Sequence, residues 1–150
     1  MMTDQAGLQT MLDQAAIQQL IARYIEAASS GDIEVVGSTY AEDGVWEVPA
    51  FPMRVVGPKA IGEKIAELLQ PMEYLVQIGS PAAITVNGDK ATARSSMREG
   101  CKFKGKNVAA EILGVYDDDL VRTADGWKFA RRTFQMSCFN TYDVHPPQAG

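Results

Sequence analysis

The sequence is poor in the residues that build metal centres and covalent staples. It holds one histidine, His145, and two cysteines, Cys101 and Cys138, in 150 residues. Two cysteines cannot make a disulfide scaffold. One histidine without clustered cysteines gives no zinc-ligand spacing, so no metal site is expected. No apolar run approaches the roughly 20 residues that span a bilayer, and no membrane contact is expected. Met1 to Leu12 has neither a basic region nor an apolar core, which argues against a secretory leader and for a cytoplasmic protein. Positive charge is in deficit: 14 Lys+Arg face 19 Asp+Glu, for a net charge of −5. That balance disfavours a nucleic-acid partner, whose binding rests on neutralising phosphates. What remains is a chain with 46% hydrophobic residues, long enough to bury a core as one domain over residues 1–150.

Ile17, Leu20, Ile21, Tyr24, Ile25 and Ala28 recur at helical spacing. Ser29-Ser30-Gly31 ends that helix, and Asp32 reads as the N-cap of a short second one running to Tyr40. Ala41 to Gly44 reads as a turn into a strand over 45–48, broken by Pro49 and Pro52. Pro58 suits the first position of a third helix, which carries Ile61, Ile65, Leu68 and Leu69 and stops at Pro71. Beyond Glu73 the period becomes two, with strands expected near 73–79, 82–100 (interrupted by Asn87-Gly88-Asp89), 108–121 and 127–138. The tail, 139–150, reads as irregular. Helices followed by long antiparallel strands make an α+β plan, with a sheet curled around the helices and enclosing a pocket for a small-molecule substrate or ligand.

Among the polar residues, His145 lies in the tail and reads as solvent-exposed. Asp117, Asp118 and Asp119 alternate faces, cannot converge on one ion and read as a solvated strand end. Lys102, Lys104 and Lys106 read as an exposed turn, and Glu111 as an outer-face or subunit-interface carboxylate. Glu99 differs. It shares a strand face with Ala91, Ala93, Ser95, Met97 and Cys101, while Arg94, Ser96 and Arg98 form the other row. A carboxylate on the inward face would have its pKa raised toward useful acid–base values. Arg131 and Arg132 point to opposite faces, so one of the two reaches the interior.

The run Gly114-Val115-Tyr116-Asp117-Asp118-Asp119-Leu120 through Gly126-Trp127-Lys128-Phe129-Ala130-Arg131-Arg132 resembles the final two strands of the SnoaL-like branch of the NTF2-like superfamily. Ala16 to Leu20, Tyr40 to Trp46 and Val56 to Ile61 match its earlier landmarks in order and spacing. The resemblance implies a cone-shaped curved antiparallel sheet around three helices, with a cystatin-like fold and a homodimer through the outer sheet face. It also implies the company of scytalone dehydratase, hexachlorocyclohexane dehydrochlorinase, polyketide cyclases and ketosteroid isomerase. The dehydratase and dehydrochlorinase relatives use an Asp that falls here at Ser29 and a His that falls at Gln77, or at Val76 if the gap moves. A second dehydratase His falls at about Cys101. None of the three is retained.

The same resemblance places Glu99, Tyr116, Arg132, Phe134 and Met136 in the pocket, and strand alternation agrees. The expected catalytic set is Glu99 moving a proton, Tyr116 donating to an enolate oxygen, and Arg132 holding the substrate or tuning Glu99. Tyr24, Trp46, Gln77, Met97, Cys101, Phe134 and Met136 complete the expected substrate-binding set. No cofactor is implied. The activity expected is that of a lyase or isomerase acting on a cyclic, enolisable molecule. A non-catalytic binding protein and a small subunit of a larger enzyme assembly stay open beside it.

Overall fold

A computed structural model describes residues 2–145. Helix α1 (Met2–Ser30) buries Ile17, Leu20, Ile21, Tyr24, Ala27 and Ala28 along one face. Each large side chain so buried stabilises the fold by about 1.5–3 kcal/mol. Gly31, at φ +77°, turns the chain out of the helix, and the Asp32 amide bonds back to the Ala27 carbonyl at 2.9 Å. The Asp32 side chain then caps α2 (Ile33–Ser38) by accepting from the Val35 amide at 3.2 Å. Helix α3 (Pro58–Leu69) starts on Pro58, after Gly57 at φ +93°.

The strands are β1 (Tyr40–Val48), β2 (Met53–Val56), β3 (Met72–Gly79), β4 (Ala83–Asn87), β5 (Lys90–Phe103), β6 (Val108–Thr123) and β7 (Gly126–Asp143). They form one sheet in the order β2-β1-β7-β6-β5-β3, with β4 also paired to β5. The α+β architecture is as expected, a curved sheet with helices on its inner side.

Four local expectations are corrected. The second helix stops at Ser38, and Tyr40 to Gly44 belong to β1, where the register against β7 slips between Tyr40 and Val45. The turn-like Ala41-Glu42-Asp43-Gly44 composition is absorbed by that irregularity. Strand β2, bracketed by prolines, had not been expected. The sheet is mixed, because β1 runs parallel to β7 while the other pairings are antiparallel. Lastly, the segment read as an irregular tail continues β7 to Asp143, paired in register with β6 as far as Val108. His145 is exposed beyond it, and 146–150 lie outside the described residues.

Two features hold this frame in register. Arg122 on β6 makes a two-pronged ion pair with Asp13 of α1, both bonds 2.8 Å, and reaches Asp89 in the β4–β5 turn at 3.0 Å. Its guanidinium lies 4.6 Å from the centre of the Trp127 ring, and Trp127 Nε1 donates to Asp13 at 3.1 Å. The second is Gly114, whose missing Cβ makes room for Phe134. A methyl there would stand 2.6 Å from Phe134 Cζ and 2.5 Å from the Gln135 carbonyl oxygen.

Bonding to Arg122 holds the Asp13 carboxyl at about 2, against an ordinary 3.8, even though burial opposes it. A depressed pKa stabilises the fold above the ordinary value, and that contribution is lost as pH falls from about 4 toward 2. Asp13→Asn should therefore lower the melting temperature at neutral pH and flatten the acid limb over that window, as read by thermal melts across pH. Gly114→Ala should destabilise by about 1–3 kcal/mol through overpacking, measured by denaturant unfolding.

Candidate functional site

The concave side of the sheet, α1 and α3 enclose a cavity of about 750 Å³, within the range of small-molecule sites. Its wall is largely apolar: Trp46 and Val48 from β1, Ile65 and Leu68 from α3, Ile112 from β6, and Phe134 and Met136 from β7. Phe51 and Phe139, both exposed and packed edge to face at 6.5 Å between ring centres, stand at the mouth with Arg54 and Lys64. Tyr24, Tyr116, Gln77 and Glu99 supply polar groups deeper in.

Glu99 is the only carboxylate among the described residues that line this cavity. Cross-strand pairing puts it opposite Gln77 of β3 on one side and Ile112 of β6 on the other. Gln77 Nε2 donates to Glu99 Oε2 at 2.8 Å, and the Gln77 backbone amide donates to Ser29 Oγ, at the end of α1, at 2.9 Å. The positions where the resemblance places an Asp and a His are thus in contact, as Ser29 and Gln77. Neither ionises near neutral pH. Burial raises the Glu99 carboxyl above its ordinary value, and the Gln77 bond partly offsets the rise.

Four residues further along β6 from Ile112 stands Tyr116, a strand distance of roughly 13 Å. Tyr24 and Tyr116 pack edge to face, with ring centres 6.1 Å apart. Burial pushes both phenols up, Arg132 draws them back down, and the Glu99 charge adds to the rise.

Behind those rings lies the largest departure from expectation. Arg132 is fully buried and does not line the cavity. Its Nε donates to Asp118 Oδ1 at 2.9 Å and its Nη2 to Asp118 Oδ2 at 3.2 Å. The guanidinium carbon sits 3.9 Å from the Tyr116 ring centre and 4.3 Å from those of Tyr24 and Phe129. Burial works most strongly against the charged guanidinium, but the Asp118 carboxylate together with Tyr116, Tyr24 and Tyr40 outweighs it and raises the Arg132 pKa. Direct contact between Arg132 and a substrate, or with Glu99, is therefore corrected to a place in the core.

The acidic run reads Asp118 with its neighbours as solvated. Alternation was right, but it turns Asp118 inward, 3% exposed, while Asp119 faces solvent and Asp117 meets Arg94 at 2.7 Å. The signal was present in the inward row of Ile112, Gly114 and Tyr116, which Asp118 continues. Met97 and Cys101 are also moved out of the site: Met97 packs in the main core, and Cys101 lies in a separate cluster with Leu75 and Ala110. Tyr24, Trp46, Gln77, Phe134 and Met136 line the cavity, as do Glu99 and Tyr116. The aromatic mouth was missed because Phe51 lies between prolines and Phe139 in the segment read as tail. Glu111, as expected, faces outward and pairs with Arg98 at 2.7 Å.

Known proteins agree with this architecture. The SnoaL-like domain family matches residues 9–133. The uncharacterized protein Rv2910c of Mycobacterium tuberculosis is 26% identical over 128 residues, covering 85% of this chain and 86% of that one. An NTF2-like protein with a cystatin-like fold from Novosphingobium aromaticivorans is 29% identical, with a TM-score of 0.69 over 88% of this chain and 86% of its own. The hexachlorocyclohexane dehydrochlorinase LinA-type3 from Novosphingobium barchaimii LL02 is 19% identical, with a TM-score of 0.83 over 94% and 99%, a likeness of fold alone. With five-sixths of its length matched by the family and the curved sheet and cavity in place, the chain belongs to the SnoaL-like domain family.

Proposed function

We propose that the protein is a cofactor-independent lyase or isomerase acting on a cyclic, enolisable small molecule. The observation that carries the reading is Glu99: one carboxylate in an apolar cavity, with a raised pKa, fixed by a neutral amide. Its carboxylate takes the proton from the carbon next to a carbonyl, and the C–H electrons pass into an enolate. Tyr116, with Tyr24 beside it, donates a hydrogen bond to the enolate oxygen, where charge develops. Collapse of the enolate expels a β-hydroxyl as water when Glu99 returns its proton to it, or, where the enolate is conjugated, gives an isomer when Glu99 delivers the proton to a different carbon. Gln77 keeps Glu99 in one orientation and takes no proton itself.

The dehydrochlorinase neighbour, alike in fold, is named for an elimination reaction, the class of chemistry proposed here. Ser29 and Gln77, at the positions of the relatives' dyad, favour a second reading in which the cavity binds a small molecule without turning it over. Exposed Tyr74, Val76 and Ile78 on β3 and Tyr142 on β7 support a homodimer through the outer sheet face.

Incubating the protein in D₂O with cyclic ketones and β-hydroxy ketones, with NMR detection, should show catalysed deuterium exchange or loss of water. Glu99→Gln should lower that rate by about 10²–10⁴-fold while leaving ligand-induced line broadening intact. Broadening without exchange in the wild type would establish the binding reading instead. A raised Glu99 pKa means the base form is lost on the acid side at a pH above the ordinary 4.5. Gln77→Leu removes the bond that opposes the rise, so the acid limb of the rate profile should move further up.

A further inference from the structure

Asp118 and Arg132 form a buried ion pair that the proton transfer just described does not touch. The guanidinium has no exposed surface, and its Nη1 lacks a hydrogen-bond partner. A buried pair of this kind is poor evidence for stability, because removing two charges from water opposes their attraction. Three aromatic rings nevertheless surround the cation: Tyr24 from α1, Tyr116 from β6 and Phe129 from β7. Two of the three end in hydroxyls and line the cavity; the third does not. The cation therefore lies on the far side of those two rings from the ligand space.

A positive charge over a phenol ring stabilises the phenolate, and it strengthens the hydroxyl as a donor to an anionic oxygen. The effect is large where water is excluded, as it is here. We propose that the Asp118–Arg132 pair is a positioning and tuning element that acts through Tyr116 and Tyr24, making their hydroxyls stronger donors to an oxygen on which negative charge gathers. Asp118 sets the strength of the effect: bonded at two points, it holds the guanidinium against the rings and screens part of its charge. The proposal rests on the reading of the cavity as a site for enolate chemistry, but it is testable without turnover.

The groups that face the two tyrosines are Arg132 and Asp118 behind the rings, Glu99 across the cavity, and Tyr40 beside Tyr24. Arg132 is the only cation in that set. Its removal and the removal of its counter-ion should therefore act in opposite directions, which a purely structural pair would not do.

The test places difluorotyrosine, whose hydroxyl ionises near neutral pH, at position 116 by site-specific incorporation. Its ionisation is followed by absorbance in the full-length protein. Asp118→Asn leaves the guanidinium unscreened and should strengthen the acid by roughly tenfold, while Arg132→Met should weaken it by at least as much. Arg132→Lys, which keeps the charge, should restore most of the Arg132→Met loss. If Arg132→Met does not fold by circular dichroism, the Asp118→Asn arm still decides, with Arg132→Lys expected to titrate close to the protein that keeps Arg132. An unchanged midpoint in Asp118→Asn, or a shift in the same direction for all variants, overturns the proposal. This titration pattern in the variants, with no deuterium exchange by the wild-type protein, would remove the proposed reaction and leave the tuning in place.

Discussion

The bonded contact between Asp118 and Arg132 is the constraint around which the inner structure is arranged. The two residues face one another across β6 and β7, so the pair forms only when those strands are in register. Around it pack Tyr24 from α1 and Phe129 from β7, which ties the first helix to the last strand. Removing one partner strands the other in the core, a change that typically costs about 3–5 kcal/mol. A pair of apolar residues could fill the same space. The charges are therefore better understood by what they do to the rings around them than by what they add to stability.

The site treats ionisation differently on its two sides. On the Glu99 side, the carboxylate is half-buried and the partners are neutral: Gln77 donates one bond, and Ser29 holds Gln77 through its backbone. On the tyrosine side, a full positive charge lies behind the rings. Burial keeps protons on at both sides, and on the tyrosine side the cation draws that effect back down. A molecule that loses a proton at one end while charge appears on an oxygen at the other matches that polarity.

Much of this arrangement was legible in the sequence, and what was not has physical reasons. Strand alternation on β5 turns Glu99 inward, and Pro58 and Asp32 mark helix starts, one by its fixed backbone angle and the other by its capping carboxylate. These are local rules, and they held. Tyr40 to Gly44 misled because turn-forming residues can sit in a strand where its pairing slips. Asp118 was obscured by its acidic neighbours, since composition suggested solvent where alternation pointed to the core. The Arg122–Asp13 clamp joins residues 109 positions apart, and no local pattern carries that information. Placing Ser29 and Gln77 together came from the family resemblance; the hydrogen bond between them came from the structure.

Strand β7 sits between β1 and β6 and contributes Phe134, Met136 and Phe139 to the cavity. Its parallel partner β1 and the helix it packs against are made near the start of the chain. During synthesis, then, Glu99 and Gln77 emerge and can pair long before the wall opposite them exists. Until the last strand is released and inserted between two others, β1 and β2 have no sheet to join and the apolar interior lies open. The pocket is the final product of folding, and a nascent or prematurely ended chain would expose a sticky trough where the finished protein has a binding site.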